Sequence, residues 1–292
     1  MNWDDVRIFL AVARRGQILG AAKALALNHA TVARRLTALE EALGARLFVR
    51  KTNGSDLSSE GEKFLVHAER IESEMLAARE AAGADSGIAG TVRVGAPDGF
   101  GVAFLAPRIG ELVERHQGLR IELVPVPRTF SLSRREADIA VTLERPSEGR
   151  LVALKLTDYR LGLYASADYL ARHGAPETVT DLGQHRLVGY VEDLLFTASL
   201  DYTAEFLKDW RSSIAVSSAM GQTEAVRAGA GIGILHGFMA RGDSALVPVL
   251  PAHTLKRSYW TVVHEDLRMI RRVAVVAEFL SEVVARERAI FA

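Results

Sequence analysis

The sequence predicts a multidomain chain with a small head rich in α-helix, a long linker helix and a large α/β body. Its 292 residues suffice for two or three domains of ordinary size, at about 100–200 residues each. Over the first sixty residues, apolar positions recur at helical spacing and are followed by turn-forming residues. From Thr91 onward, short β-branched runs alternate with helical stretches, which is typical of α/β domains.

Composition excludes several classes of protein. Charged residues make up 25% of the chain and hydrophobic residues 49%, which argues against both a disordered and an integral membrane protein. No apolar run approaches the roughly 18 residues that span a bilayer. The chain has no cysteine, so disulfides, thiolate metal sites and cysteine nucleophiles are excluded. Charges are scattered through the first fifteen residues, unlike a secretory signal, and we expect a cytoplasmic protein.

Charge is distributed unevenly along the chain. Residues 1–58 hold nine Lys and Arg against five Asp and Glu, whereas residues 59–82 hold three against six. The remaining residues are nearly balanced, with 24 against 25. A basic head on a near-neutral body suggests that the head meets a polyanion.

Three helices are predicted in the head. The first begins at Asp4 and ends at Gly16, the second spans 19–25, and the third runs from Asn28, a good N-cap, to Leu43. Only two residues separate the second and third helices. Two short helices joined so tightly form a helix-turn-helix, whose second helix can enter a DNA major groove.

The faces of the third helix can be sorted by spacing. Val32, Leu36 and Leu39 follow i, i+4 and i+7 and are expected in the core. We expect Arg34 to contact a guanine edge or a phosphate and Arg35 to contact phosphate. The alternative is an ordinary solvated helix face. Four DNA-contacting candidates remain on its exposed sides: His29, Thr31, Arg34 and Arg35.

A basic hairpin is predicted directly after the third helix. Residues 47–49 are apolar, and Asn53-Gly54 is a strong turn signal between strand-like flanks. A hairpin placed there is a wing that can touch phosphates or the minor groove. Its DNA-contacting candidates are Arg50, Lys51, Thr52 and Asn53.

A long helix is predicted over residues 59–82, followed by a hinge at 83–88. Its apolar residues are spaced 4, 3, 4 and 3 apart, as in a coiled-coil seam. This spacing also fits an amphipathic helix packed on its own domain. We expect pairing with a second copy of the chain, because a helix that projects from a DNA-binding head has more use for a partner chain than for its own small core. The predicted dimer contacts are Phe64, Ala68, Ile71, Met75 and Ala78.

The head resembles the winged helix-turn-helix of LysR-type transcriptional regulators. The resemblance rests on Ala21-Ala22-Lys23-Ala24-Leu25, Leu39-Glu40 and Leu43-Gly44-Ala45-Arg46-Leu47-Phe48-Val49-Arg50 together. Residues 28–33 read Asn-His-Ala-Thr-Val-Ala where the family usually has Ser-Gln-Pro-Ala-Val-Ser, and Gln17 replaces a usual serine. Gln17 and Asn28 therefore join the DNA-contacting candidates, while the base preference stays open.

The body resembles the effector-binding domain of the same family, which is α/β, two-lobed and similar to a periplasmic binding protein. The resemblance rests on residues 119–123, 134–141, 162–171 and 225–233. It implies a winged helix-turn-helix domain at 1–58 and an effector-binding domain at 89–292. Lobe I would comprise 89–159 and 265–292 and lobe II would comprise 160–264, with a small molecule between them.

Candidate effector contacts come from loops that follow strands, because open α/β sheets bind ligands at the carboxyl ends of their strands. Strands are predicted at 91–95, 120–126, 138–143, 151–156 and 161–165, in a largely parallel sheet. An acidic side chain among the candidates, that of Asp98, argues against a strongly anionic ligand close by. The candidates are Asp98, Gly99, Phe100, Gly101, Thr129, Phe130, Ser131, Tyr190, Glu192 and Gln222.

No catalytic or metal motif is recognised. Gly229, Gly231 and Gly233 lack the last glycine of a dinucleotide fingerprint, and the eight histidines show no metal-ligand spacing. We expect a DNA-binding regulator that is not an enzyme, with no cofactor, metal or membrane partner. Its expected partners are double-stranded DNA, a small-molecule effector and further copies of itself, as a homodimer or homotetramer, with RNA polymerase left open. The alternative is a soluble ligand-binding or transport module whose N-terminal helices dimerise.

Overall fold

The computed structural model describes residues 2–51, 54–82, 88–126, 128–130, 132 and 136–292. It divides into two compact units: the head with the linker helix, and a body that holds most of the remaining residues. The predicted hinge at 83–88 lies outside the described residues except for Ile88. Among the described residues, no helix is both long enough and apolar enough to cross a lipid bilayer.

The head contains three helices, a two-stranded hairpin and the long linker helix. Local sequence signals fix the helix ends. Gly16 and Gly44 adopt φ of 67° and 63°, the left-handed conformation that ends a helix. The elements are α1 (Trp3–Arg15), α2 (Ile18–Leu25), α3 (His29–Leu43), β1 (Phe48–Lys51), β2 (Gly54–Leu57) and α4 (Ser59–Ala82).

A tight turn joins α2 to α3. Ala26 ends α2 with a left-handed φ of 52°, and the Asn28 side chain accepts a hydrogen bond from the Ala30 amide at 2.8 Å. The amide of Leu27 donates to the carbonyl of Ala22 at 2.9 Å. These contacts satisfy terminal backbone groups that would otherwise have no partner, so the predicted helix-turn-helix geometry is formed.

Phe9 lies at the centre of the head core. Its side chain is fully buried, and its ring centroid lies 5.3 Å from that of Phe48 and 4.9 Å from that of Phe64. The three rings connect α1, β1 and α4. The Arg14 guanidinium adds a two-pronged ion pair to Glu72 on α4, at 3.0 and 2.5 Å.

The first part of α4 packs on its own domain, which corrects the predicted dimer contacts Phe64 and Ala68. Ala68 is fully buried in the head core, and Phe64 packs against the same core. A Cβ on Gly61 would lie 2.0 Å from the Leu47 carbonyl oxygen, so α4 sits directly against the start of the wing. Met75 and Ala78, further along α4, remain exposed, and Ile71 is half-buried.

In the described residues, the body is built on a mixed eight-stranded sheet with the order β4-β3-β5-β10-β6-β9-β7-β8. The helices that flank it are α5 (Ile109–Arg115), α6 (Ala167–His173), α7 (Thr203–Phe206), α8 (Ala219–Arg227), α9 (Gly237–Ala240) and α10 (Arg271–Arg286). The strands are β3 (Ala89–Ala96), β4 (Gly118–Pro125), β5 (Ile139–Thr142), β6 (Leu151–Ser166), β7 (Leu187–Gly189), β8 (Ile214–Ala215), β9 (Ile232–His236) and β10 (Leu246–His264).

The sheet is less parallel than the sequence predicts. β3 runs parallel to β4 and β5, and β7 runs parallel to β8 and β9, but the long strands β6 and β10 pair antiparallel between these groups. The strands predicted at 151–156 and 161–165 are one strand, β6. Asp158, which interrupts the apolar pattern, is held within the strand by Lys155, Lys256 and Ser258.

Candidate nucleic-acid interface and ligand pocket

The helix α3 buries one face and exposes the opposite one. Val32, Leu36 and Leu39 are buried as predicted, whereas the Arg34 side chain is exposed. Within the part of the chain that the structure describes, Arg34 has no ion-pair partner. Its guanidinium is therefore available to an external acceptor.

Two further residues share the exposed face of α3 with Arg34. Ala30 lies four residues before it and Thr37 three residues after it, and both are exposed. The sequence reasoning missed them because it stopped at the first turns of the helix. Helical spacing from Arg34 would have found both.

The remaining candidates in and next to α3 differ in whether their side chains already have partners within the protein. Arg35 lies 3.4 Å from a carboxylate oxygen of Asp4 and 3.8 Å from one of Asp5, so acidic groups of α1 already compete for it. His29 is exposed and Thr31 is half-buried. Asn28 is exposed, but its side-chain oxygen is occupied as the N-cap of α3.

The wing is fixed beside the start of α2. The Ser55 amide donates to the Gly16 carbonyl at 2.8 Å, and a Cβ on Gly54 would lie 2.6 Å from the same oxygen. Gln17, one of the predicted DNA contacts, is exposed next to this junction. The wing and the helix-turn-helix therefore form one continuous surface of the head.

The predicted wing candidates are only partly described. The Lys51 ammonium forms an ion pair with the Asp56 carboxylate across the hairpin, and both side chains are largely exposed. Thr52 and Asn53 lie outside the described residues, as does the side chain of Arg50.

A buried carboxylate connects α3 to the wing. Glu40 is 9% exposed and accepts hydrogen bonds from the amides of Leu47 at 2.7 Å and Phe48 at 3.2 Å. It also accepts one from Arg46 at 3.1 Å. Glu40 therefore holds the end of α3 at a fixed distance from the wing. The Leu39-Glu40 pair in the sequence does not by itself indicate this role, because the fold brings the backbone amides of Leu47 and Phe48 to Glu40.

Several predicted effector contacts instead hold the body together. Asp98 is 8% exposed, and one of its oxygens accepts hydrogen bonds from the Ser218 hydroxyl at 2.7 Å and the Met220 amide at 3.0 Å. Gln222 is buried, and its amide donates to the Val216 carbonyl at 2.9 Å.

The glycine-rich segment after β3 is also part of the core. Gly99, Phe100 and Gly101 are buried in a π-helical segment, Gly99–Leu105. The Gly101 amide donates to the Pro97 carbonyl at 2.8 Å, and a Cβ on Gly101 would lie 2.6 Å from Pro125. The prediction that Gly99, Phe100 and Gly101 contact the effector is corrected accordingly.

Buried tyrosines surround His236 in the body core. The His236 ring stacks on Tyr159 with centroids 5.1 Å apart, and Tyr159 stacks on Tyr259 at 4.2 Å. Tyr190 lies near this cluster, and burial, with the nearby Tyr202, raises its pKa well above 10. Glu192 is exposed in a short 3-10 turn. Neither Tyr190 nor Glu192 lines the pocket described below.

His236 predicts a loss of stability in mild acid. Burial lowers its pKa from 6.5 to about 4, so between these pH values the unfolded chain binds a proton that the folded chain does not. Its contribution is complete above pH 6.5 and disappears as the pH falls towards 4. We expect roughly 2 kcal/mol less stability from this group at pH 5 than at pH 7. Urea unfolding at both pH values measures this loss.

The control for this pH dependence is His236→Gln, which cannot titrate. The difference in unfolding free energy between pH 7 and pH 5 is expected to shrink in this variant, although other groups titrate in both proteins. An unchanged pH dependence would show that His236 is already protonated or accessible in the folded chain.

A pocket of about 310 Å³ opens beside the carboxyl ends of β3, β4 and β5. Two predicted contacts, Thr129 and Phe130, line it, and Ser131 lies outside the described residues. The sequence reasoning did not follow β5 to its end, although the same rule about strand ends applies there. The missed lining residues with polar or aromatic side chains are Arg128, Thr142, Glu144, Arg145, Ser147, Phe196 and Thr197.

Glu144 joins the two halves of the body at the edge of this pocket. Its carboxylate accepts hydrogen bonds from the Ser199 amide at 2.8 Å, the Ser199 hydroxyl at 2.6 Å and the Thr197 hydroxyl. These hydrogen bonds lower the pKa of Glu144, so the carboxylate is held in its charged form. Glu144 thus joins the segment after β5 to Ser199, and Asp98 joins the segment after β3 to Ser218. Ser199 and Ser218 both belong to the half of the body that contains β7.

A winged helix-turn-helix with an exposed arginine, in one chain with an α/β body that carries a pocket, defines a DNA-binding regulator that responds to a small molecule. Residues 3–62 match the family model described as bacterial regulatory helix-turn-helix protein, lysR family, and residues 85–285 match LysR substrate binding domain. The chain belongs to this family of LysR-type transcriptional regulators. It is therefore a DNA-binding regulator with an effector-binding domain, and not an enzyme.

Known relatives align with nearly the whole length of the chain. The HTH-type transcriptional regulator CrgA of Neisseria meningitidis serogroup C (strain 8013) is 30% identical over 289 residues, which is 96% of each chain. The solved structure of a Neisseria meningitidis CrgA aligns with 97% of this chain and 98% of its own, at a TM-score of 0.59 and 27% identity. A full-length OxyR variant from Pseudomonas aeruginosa aligns with 97% of this chain and 94% of its own, at a TM-score of 0.71 and 19% identity, and shares the fold.

Proposed function

We propose that α3 enters the major groove and that Arg34 reads a base edge there. The exposed Arg34 guanidinium, on the face opposite the buried one, is the observation that supports this most strongly. His29 and Thr31 are expected beside it, with Ala30 and Thr37 on the same face. Arginine forks onto the acceptors of guanine, whereas short side chains contact neighbouring bases or thymine methyl groups.

The wing, Gln17, Asn28 and Arg35 are proposed to contact the DNA backbone. Their position in α3 or next to it supports this, since contacts to the DNA backbone fix the register in which base-reading side chains meet their sequence. The wing residues Arg50, Lys51, Thr52 and Asn53 remain DNA-contacting proposals on the same ground.

Lys51→Ala is expected to weaken binding equally to all DNA sequences, because phosphate contacts carry no sequence information. The slope of log affinity against log salt is expected to fall by about one unit. Titrations of an operator and a scrambled duplex at several salt concentrations measure both effects. The matched variant Asp56→Asn removes the carboxylate that competes for Lys51 and is expected to strengthen binding to both duplexes. Loss confined to the operator would contradict a phosphate role for Lys51.

The regulator is proposed to act in the cytoplasm as a homodimer or homotetramer. Met75 and Ala78 are exposed on α4 beyond the part that packs on the head, which supports pairing there together with Ile71. Two heads so joined would present recognition helices to half-sites about 34 Å, or a multiple of that distance, apart. RNA polymerase is proposed as a further partner of the DNA-bound regulator.

The proposed domain division follows the boundaries 1–58, 59–82, 83–88 and 89–292. Lobe I would comprise 89–159 with 265–292 and lobe II 160–264. The strand β6 crosses this boundary, and β10 of lobe II pairs with β5 of lobe I. The effector is proposed to bind the pocket lined by Thr129 and Phe130, which touches segments of both lobes. A ligand there alters DNA binding only if it favours one arrangement of the regulator over another.

A thermal-shift screen of the full chain, followed by DNA binding, tests this proposal. A metabolite that binds only the folded chain raises its melting temperature. We expect the same compound to change the affinity for DNA upstream of the regulator's own gene. A compound that stabilises the chain with no effect on DNA binding or on transcription from that DNA would contradict an effector role for its site.

A further inference from the structure

We propose that the body pocket takes a small, largely apolar molecule with one anionic group, of which an aromatic carboxylate is the simplest example, and that Arg145 is the main contact of the anion. This inference rests on the proposed function, which assigns the effector to this pocket, and adds the chemical class of the ligand. It is supported by the apolar wall of the pocket, by Arg145 at its edge and by the hydrogen bonds that hold the Glu144 carboxylate.

The wall of the pocket is the open side of an apolar cluster. Leu132, Ala140 and Val262 are buried members of this cluster, with Phe130 and Leu151 packed against them, and all five line the pocket. A ligand that fills the pocket must cover this surface, so a fully polar molecule would leave its own polar groups unpaired. The volume of about 310 Å³ lies at the lower end for ligand pockets and suits a compact molecule.

Two guanidinium groups line the same pocket. That of Arg128 lies 4.7 Å from the centroid of the Phe130 ring, and that of Arg145 lies 5.9 Å from the Trp260 ring. One N–H of Arg128 already donates to the Thr129 carbonyl at 3.2 Å. For Arg145, stacking over the ring orients the guanidinium while leaving its N–H groups at the edge for a planar acceptor. In the described part of the chain, no carboxylate lies within ion-pair distance of Arg145. A ligand carboxylate would supply the missing acceptor.

Of the two acidic groups considered, Glu144 lines the pocket and Asp98 does not. Glu144 is charged, but one of its oxygens is held by three hydrogen bonds from Ser199 and Thr197, which disperse part of its negative charge. Asp98, which the sequence suggested would repel an anion, does not line the pocket and binds Ser218 and Met220 instead. The pocket therefore combines an apolar wall with the Arg145 guanidinium, for which the described residues offer no carboxylate.

Calorimetry on the full chain tests the ligand class with probes of matched shape. Benzoate, phenylacetate and cyclohexanecarboxylate are the anionic probes, and benzamide and benzylamine are the neutral and cationic ones. At least one carboxylate is expected to bind about tenfold or more tightly than both controls, since charge-assisted hydrogen bonds are about twice as strong as neutral ones. A smaller ratio, or no binding of any carboxylate up to about 10 mM, would overturn the ligand class.

Three variants assign the contact. Arg145→Met is expected to weaken carboxylate binding about tenfold or more and to leave benzamide unchanged. Arg120→Met, at an exposed arginine of the body that does not line the pocket, is the matched control. Ser147→Trp fills the pocket rim and is expected to abolish binding of every probe. Undiminished carboxylate binding in Arg145→Met would overturn the role of Arg145.

These outcomes separate the ligand class from the proposed function. If Ser147→Trp abolishes binding of benzamide or benzylamine, and that probe binds as tightly as benzoate, the pocket remains the effector site and the anionic class fails. DNA binding by the unliganded chain is measured independently of all these probes. Its loss would count against the proposed DNA interface and leave the ligand class intact.

Discussion

Phe9→Ala is expected to unfold the head while the body stays folded. The side chain is fully buried, and its ring joins those of Phe48 and Phe64, so one truncation opens a cavity where α1, β1 and α4 meet. Truncation of a buried phenylalanine costs about 3–5 kcal/mol, a large share of the stability of a small domain. Hydrogen exchange of the full chain, resolved by peptide, measures the loss of protection over residues 2–51.

The matched variant Phe9→Leu retains most of the side-chain volume. It is expected to cost less than about 1.5 kcal/mol and to preserve DNA binding. In both variants, the β3–β10 sheet is expected to exchange as in the unaltered protein. Wild-type protection of the head in Phe9→Ala would mean that the three rings do not hold these elements together.

Arg34→Ala is expected to weaken binding to the operator by about 1–3 kcal/mol, with a much smaller loss on unrelated DNA. The guanidinium is exposed and unpaired among the described residues, so its removal leaves no buried group without a partner and should not affect folding. The whole effect then reports on contacts to DNA. Competition between the operator and a scrambled duplex measures the two losses in parallel.

Arg34→Lys is the control that separates charge from geometry. Lysine keeps the positive charge but lacks the planar fork that fits a guanine edge. Operator affinity is expected to stay low in this variant while binding to unrelated DNA recovers. Equal losses on both duplexes in Arg34→Ala would make Arg34 a phosphate contact and leave base reading to its neighbours on α3.

The head could be predicted from sequence because its signals are local. Gly16 and Gly44 end helices through their own left-handed conformation, and Asn28 caps α3 with its own side chain. The spacing of Val32 and Leu36 defines the buried face without reference to any other part of the chain. The opposite, exposed face of α3 then indicated that the head binds DNA.

The partner of α4 could not be read from its periodicity. The same spacing of three and four residues serves a helix that packs on its own domain and one that pairs with a second chain. Ala68 is fully buried in the head, whereas Met75 is 39% exposed. The positions of α1 and the wing decide which part of α4 packs on the head. The part beyond them is left to pair with a second chain.

The effector contacts were the least predictable part. The rule that ligands bind at the carboxyl ends of strands locates the loops, but it does not give the direction of their side chains. Thr129 and Phe130 do line the pocket, but Asp98 turns to α8 and Gln222 to a backbone carbonyl. Arg145 and Glu144 follow β5, a strand whose end the sequence analysis did not pursue. Their roles depend on Trp260 and Ser199, which are distant in sequence.

Binding of the intact protein to DNA upstream of its own gene, titrated across a salt series, tests the central claim most directly. A protein that presents the Arg34 face of α3 and a basic wing to the duplex should bind at low salt and lose affinity as salt rises. It should also retain a preference for one sequence over scrambled DNA at physiological salt. Absence of binding to every duplex at low ionic strength would contradict the account.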